Sequence, residues 1–162
     1  GLEVGKSLVS NTTLPEEILK DPARKMIEPT DVVVKNPATG AIATKSIDAV
    51  SADESVMDAG PSVIAGMKQV FDAATAAGQK PFVLWNGPLG DYEDGFKGQT
   101  VALAELIISS GVDALIGGGD TTAVIANIQS ENPSENVYVS TGGGAMIDYL
   151  INETLPGIDA LK

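Results

Sequence analysis

Neither cysteine nor histidine occurs in the chain. Without cysteine there is no disulfide framework and no thiolate metal site, and nothing argues for an oxidising compartment. Without histidine there is no serine–histidine pair, no imidazole base and no histidine-ligated zinc. Any chemistry must then rest on carboxylates, lysine, backbone amides or a hard metal ion. Aromatic residues are scarce too, at 4%. No apolar run approaches the roughly 20 residues of a membrane span, and no leader pattern opens the sequence, so a cytoplasmic protein is expected. Positive charge is the last shortage. Ten basic residues face 22 acidic ones, a net charge of −12, which disfavours nucleic acid and anionic membranes as partners.

What the chain does have is glycine, 18 residues of it, and enough hydrophobic sequence (43% of 162 residues) for one domain to bury a core. Abundant small residues suit open α/β folds, where helices lie close on a sheet and loops approach ligands. A short helix is expected near Pro15 to Lys20, where proline precedes "EEIL". "TDVVVKN" reads as a strand at 31–35, buried on both faces because its valines run together, and "TKSIDAV" at 44–50 as a second, more exposed strand after the turn "NPATGA". Val63, Ile64, Met67, Val70, Phe71 and Ala74 then recur at helical spacing, with Pro61 near the start and Gly78 past the end. Strands at 81–85, 113–116 and 137–140 follow, alternating with helices at 100–109, 121–128 and 145–151.

From residue 61 onward this is an α-β-α-β-α-β-α order with short connections, which predicts parallel strands and right-handed crossovers. The expected fold class is α/β, a mostly parallel open sheet with flanking helices in a Rossmann-like three-layer arrangement. In such a sheet all strands point their carboxyl ends to one edge. The glycine-rich loops at 86–90, 117–119 and 142–144 should therefore open together, where open α/β folds bind ligands.

Glycine after a strand lets backbone approach a ligand, and the next helix offers free N–H groups and a positive dipole end. An anion could be held there without lysine, which reconciles a phosphate ligand with the −12 charge. Asp120 would repel a bare phosphate but suits a magnesium ion bridging phosphate oxygens. The alternative is that the glycines are only tight turns and that Asp120 caps helix 121–128. "GLEVGKS" at 1–7 imitates a phosphate-binding P-loop, but only three residues separate Gly1 from Gly5 where that loop needs four, so Lys6 is an ordinary lysine. No G-x-G-x-x-G fingerprint is present either, which argues against a nicotinamide cofactor.

Taken in order, "GLEVGKSL", "DVVV", "MDAGP", "VLWNGPLGDYE", "IGGGDT", "STGGGA" and "LPGIDAL" resemble the C-terminal, nucleotide-binding domain of phosphoglycerate kinase. The resemblance runs along nearly the whole chain and treats residues 1–162 as part of that domain. It implies magnesium-dependent phosphoryl transfer between 1,3-bisphosphoglycerate and ADP, giving ATP. By resemblance Asn86, Gly87 and Pro88 line the nucleotide cleft and Glu93 holds the ribose hydroxyls. Gly118, Gly119, Asp120 and Thr121 meet the phosphates, with Asp120 the magnesium ligand, and Gly142 and Gly143 stabilise the phosphoryl group in flight. Two matched positions depart. Val56 stands where the family usually has glycine, and Asp91 where it has an apolar residue.

The family's N-terminal domain, which binds phosphoglycerate, and the start of its nucleotide domain are not matched. The expectation is a fragment of a larger, typically monomeric kinase, inactive alone because in-line transfer needs both domains. An open sheet edge, prone to association, should accompany it. A nucleotide-binding module without catalysis, or one half of a split protein, is the alternative. An unrelated phosphosugar or acyl-phosphate enzyme on a similar sheet is a third.

Overall fold

Three consecutive valines make β1 (Asp31–Lys35) extended, as β-branched side chains favour. The computed structural model describes residues 4–7, 27–131 and 133–162, and the helix expected near Pro15 to Lys20 lies outside them. The chain divides into two compact units, Gly1–Met67 and Lys68–Lys162.

In the first unit β1 is the centre of an antiparallel sheet of order β2-β1-β3, with β2 at Ile42–Ser46 and β3 at Ser55–Ala59. This corrects the expectation of a mostly parallel sheet. The connection of residues 36–41 is too short to cross over. The Asn36 carboxamide oxygen accepts the amides of Ala38 and Thr39 at 2.9 and 3.1 Å, so the chain turns straight back. One face of an antiparallel sheet can stay wet. Accordingly Val32 and Val34 are buried while Val33 is only half-buried, and β1 is not covered on both faces. β2 ends at Ser46 because Ile47–Ala49 wind into a 3₁₀ turn, which shortens the strand expected at 44–50. β3 was not anticipated. Its Val56 lies opposite Val34, beside a register shift, and packs against Val32, Val34 and Val50.

Residues 4–7 pair with the segment leading into β3. Gly5 bridges to Ser55, the Lys6 amide donates to the Glu54 carbonyl at 2.7 Å, and the Val56 amide donates to the Ser7 hydroxyl at 2.7 Å. The Lys6 backbone is thus used in pairing while its side chain is exposed. Asp31 caps α1 (Pro61–Ala76) from 31 residues away. Its Oδ1 accepts the Ser62 amide at 3.0 Å, and the Ser62 hydroxyl accepts the Thr30 amide at 3.0 Å.

In the second unit, β4 (Phe82–Asn86), β5 (Asp113–Gly117) and β6 (Val137–Ser140) form a parallel sheet in sequence order. Between and after them run α2 (Gly98–Ser110), α3 (Gly119–Glu131), α4 (Gly143–Asn152) and the short α5 (Pro156–Asp159). The alternation expected from residue 61 is therefore present. Ile107 of α2, Ile116 of β5 and Ile125 of α3 are fully buried, each contributing about 1.5–3 kcal/mol by leaving water. Leu115, of opposite parity on β5, shares an apolar cavity with Ala145, Met146, Tyr149 and Leu150 of α4. Two helices begin earlier than their apolar spacing suggested, because Gly119, Gly143 and Gly144 lie inside the first turns. Among the described residues β4 and β6 each pair on one side only, and no helix is long and apolar enough to cross a membrane.

Glu54 gives the first unit a pH dependence. Its carboxylate accepts the Lys45 ammonium at 2.7 Å and the Ser51 amide at 3.0 Å. The Lys45 contact first, then the Ser51 amide, hold its pKa below the ordinary carboxylate value, against the opposing effect of burial. A carboxyl depressed in the folded state stabilises fully above its unfolded pKa, about 4.3, and loses that contribution as pH falls through the folded value. Glu54→Gln should therefore speed amide exchange at Val34 relative to the native chain at pH 7, and the gap should close in acid. A gap that widened in acid would refute this account.

Candidate functional site

Register brings the glycine loops to one row. Asn86 lies opposite Gly117, and Gly117 opposite Ser140, so the three parallel strands end level and their loops leave from the same edge. The first loop, after β4, is held from both sides. The buried Trp85 donates its indole N–H to the Gly87 carbonyl at 2.6 Å, and the fully buried Thr100 of α2 accepts the Leu89 amide at 2.9 Å. Further on, the Asp91 carboxylate accepts the Asp94 amide at 3.1 Å, its carbonyl accepts the Phe96 amide at 2.9 Å, and the Lys97 ammonium sits 5.7 Å from the Tyr92 ring centre. Asp91 is thus a turn-capping residue, and Glu93 is exposed on the turn it caps.

The second and third loops close against each other. Gly118 turns from β5 into α3 with φ +97, a conformation that favours glycine. A methyl group on Gly117 would stand 2.7 Å from the Met146 Cε, 2.9 Å from the Asn86 Oδ1 and 3.0 Å from the Gly143 Cα. One on Gly143 would overlap the Asn86 Oδ1 and stand 2.6 Å from the Gly118 nitrogen. The N-terminal ends of α3 and α4 are thereby brought together. Each starts with a backbone bond across its first turn, from the Thr122 amide to the Gly118 carbonyl (2.9 Å) and from the Met146 amide to the Gly142 carbonyl (2.7 Å). No side chain caps α4 at Gly142. The unpaired amides of both first turns and two positive dipole ends therefore face one place, an arrangement suited to an anion.

Every site residue expected from the resemblance lies on these loops or helix starts. Asn86 closes β4, Gly87 (φ +92) and Pro88 follow it, and Glu93 lies farther along that loop. Gly119, Asp120 and Thr121 form the first turn of α3, and Gly142 and Gly143 begin α4. Asp120 sits inside the helix rather than ahead of it, so it does not occupy the cap position that the tight-turn alternative required; its side chain is exposed. Thr121 is fully buried, and its hydroxyl oxygen has no hydrogen-bond partner among the described residues. Sequence reasoning missed Trp85, Thr100 and Met146 as supports, and it placed Gly117 in a glycine-rich loop without seeing its packing role. Only Gly117 carried a signal, its place in "GGG".

Comparison with known proteins agrees along nearly the whole length. The sequence profile of one family, Phosphoglycerate kinase, matches residues 1–153. A phosphoglycerate kinase of Latilactobacillus sakei is 35% identical over 168 residues, covering 100% of this chain and 39% of the relative. That of Solibacter usitatus is 33% identical over 165 residues, covering 99% of this chain and 40% of the relative. The solved structure of phosphoglycerate kinase from Coxiella burnetii superposes with a TM-score of 0.72 at 31% identity, over 98% of this chain and 41% of that one. The chain thus spans about two-fifths of the length of the curated relatives it matches.

The close approach of the loops predicts opposite effects from two neighbouring substitutions. Gly144 has nothing within 4 Å of where a methyl group would lie, so Gly144→Ala should be neutral or stabilising by up to about 1 kcal/mol from helix propensity. Gly143→Ala should cost about 1–3 kcal/mol, since the atoms it meets include backbone. Urea unfolding of the two variants tests this, and equal midpoints would remove the claim of tight closure.

Proposed function

Because the chain belongs to the phosphoglycerate kinase family, we propose that it carries the nucleotide side of magnesium-dependent phosphoryl transfer between 1,3-bisphosphoglycerate and ADP. Residues 1–162 are read as part of the C-terminal nucleotide-binding domain. The observation that carries this reading is the meeting of two helix N-termini at the carboxyl edge of a parallel sheet, with no basic side chain needed. Phosphoryl transfer asks mainly for positioning and for stabilisation of charge on phosphate oxygens, and converging backbone amides can provide both.

In this reading the amides of Gly118 and Gly119 receive the nucleotide phosphates, and those at the start of α4, after Gly142 and Gly143, face the transferred group. Glu93, exposed on its capped turn, accepts from the ribose hydroxyls, while Asn86, Gly87 and Pro88 form the wall between. The donor set fits magnesium. It is all oxygen: an exposed carboxylate at Asp120 and, next in sequence, the buried Thr121 hydroxyl, which has no hydrogen-bond partner among the described residues. No group of three or more acids gathers among the described residues; magnesium commonly keeps several waters and takes ligands from substrate phosphates. When bound, magnesium would neutralise phosphate charge.

A non-catalytic nucleotide-binding module, or one half of a split protein, is the second reading. By resemblance, the family's acid substrate is bound by the part of the relatives' length that this chain does not match. The proposed setting is the cytoplasm.

Calorimetric titration with Mg·ADP tests the reading. Binding should require magnesium, and Asp120→Ala should weaken it by roughly 10- to 100-fold, the range seen when support of a metal ligand is lost. Glu93→Ala should weaken ADP while leaving pyrophosphate unaffected. Equal binding with and without magnesium, in both the native chain and Asp120→Ala, would leave Asp120 without a metal role.

A further inference from the structure

Four pieces of backbone meet at the side chain of Asn86. A methyl group on Gly117 would stand 2.9 Å from its Oδ1 and one on Gly118 3.6 Å away, while one on Gly143 would overlap it. The carboxamide, anchored at the end of β4, therefore reaches the end of β5, the turn into α3 and the first residue of α4. The first loop is tied to the same place by its backbone. The Gly87 amide donates to the Gly117 carbonyl at 3.4 Å, and a methyl group on Gly118 would lie 3.2 Å from the Gly87 nitrogen. The carboxamide oxygen is thus the atom that sits against the backbone at the starts of both helices.

We propose that Asn86 is a positioning residue that couples the loop after β4 to both glycine triplets, so that the mouth of the sheet moves as one body. Neither Gly117 nor Gly143 can move toward the carboxamide without displacing it, because no methyl-sized gap separates either from Asn86. A close-packed contact of this kind holds a few discrete arrangements instead of deforming smoothly. Its consequence for phosphate, that an anion seated on α3 also fixes α4, rests on the nucleotide reading. The coupling itself does not.

The amides of Thr122 and Met146 report it, since each makes the first backbone bond of its helix, at 2.9 and 2.7 Å. Amide exchange should be measured in the ligand-free 162-residue chain, with the buried Ile107 and Ile116 as references for global opening. Asn86→Ala should speed exchange at Thr122 and Met146 together, by roughly tenfold, while Ile107 and Ile116 keep their rates. Asn86→Asp keeps an oxygen in the same place and should restore native exchange at both, yet weaken Mg·ADP by adding negative charge. Acceleration at only one of the two helices, or confined to residues 87–90, overturns the coupling. So does Asn86→Asp behaving like Asn86→Ala. If Asn86→Asp restores protection while neither it nor the native chain binds Mg·ADP, the coupling stands and the nucleotide reading fails.

Discussion

At the edge of the parallel sheet, α3 and α4 approach until backbone lies against backbone, with Gly117 and Gly143 too close for a methyl group on either. Much of the rest of the site depends on that contact. It exists because β5 and β6 pair in a register that ends them level, with Gly117 opposite Ser140. It persists because Ile116 and Ile125, fully buried below, fix the height of α3 against the strands. Larger residues at these turns would hold the helix ends apart and disperse the amides that now face one place.

The contact also answers an electrostatic difficulty. A chain of net charge −12 is a poor host for phosphate if host means a patch of lysines. On the proposed reading the fixed dipoles of two helices replace mobile cations, and no long side chain has to be ordered for each contact. Among the described residues, four lysines are ion-paired elsewhere: Lys45 with Glu54, Lys80 with Asp113, Lys68 with Asp72 and Lys162 with Asp159. Asp120 is tolerated at the start of α3 because a carboxylate there interacts favourably with the helix dipole, whether or not it also holds an ion.

Where the sequence could be read, period and punctuation agreed. Three apolar strands, each followed by glycine and then by a helical repeat, leave little but a parallel unit, and β4 to β6 are that unit. The first unit was harder. "SVMDA" is short and mixed in polarity, and only its pairing with β1 makes it a strand. β1 and β2 turned out antiparallel because a six-residue turn, closed by Asn36, overrides any preference of the strands themselves. The candidate site was legible as a set of loops but not as a contact. Nothing in "IGGGDT" reveals that its first glycine is required by Asn86 and Met146, 31 residues before it and 29 after. Thr100 shows the same limit. An ordinary threonine in a helix, it matters because the Leu89 amide happens to reach it.

The hydrogen bond from Trp85 to the Gly87 carbonyl has an experimental use. This is the only tryptophan in the chain, it is buried, and its indole N–H is tied to the loop that forms one wall of the mouth. The emission wavelength of an indole follows the polarity around it and the state of that N–H. The protein therefore carries its own optical reporter of the loop after β4, read without a label and without background from a second tryptophan.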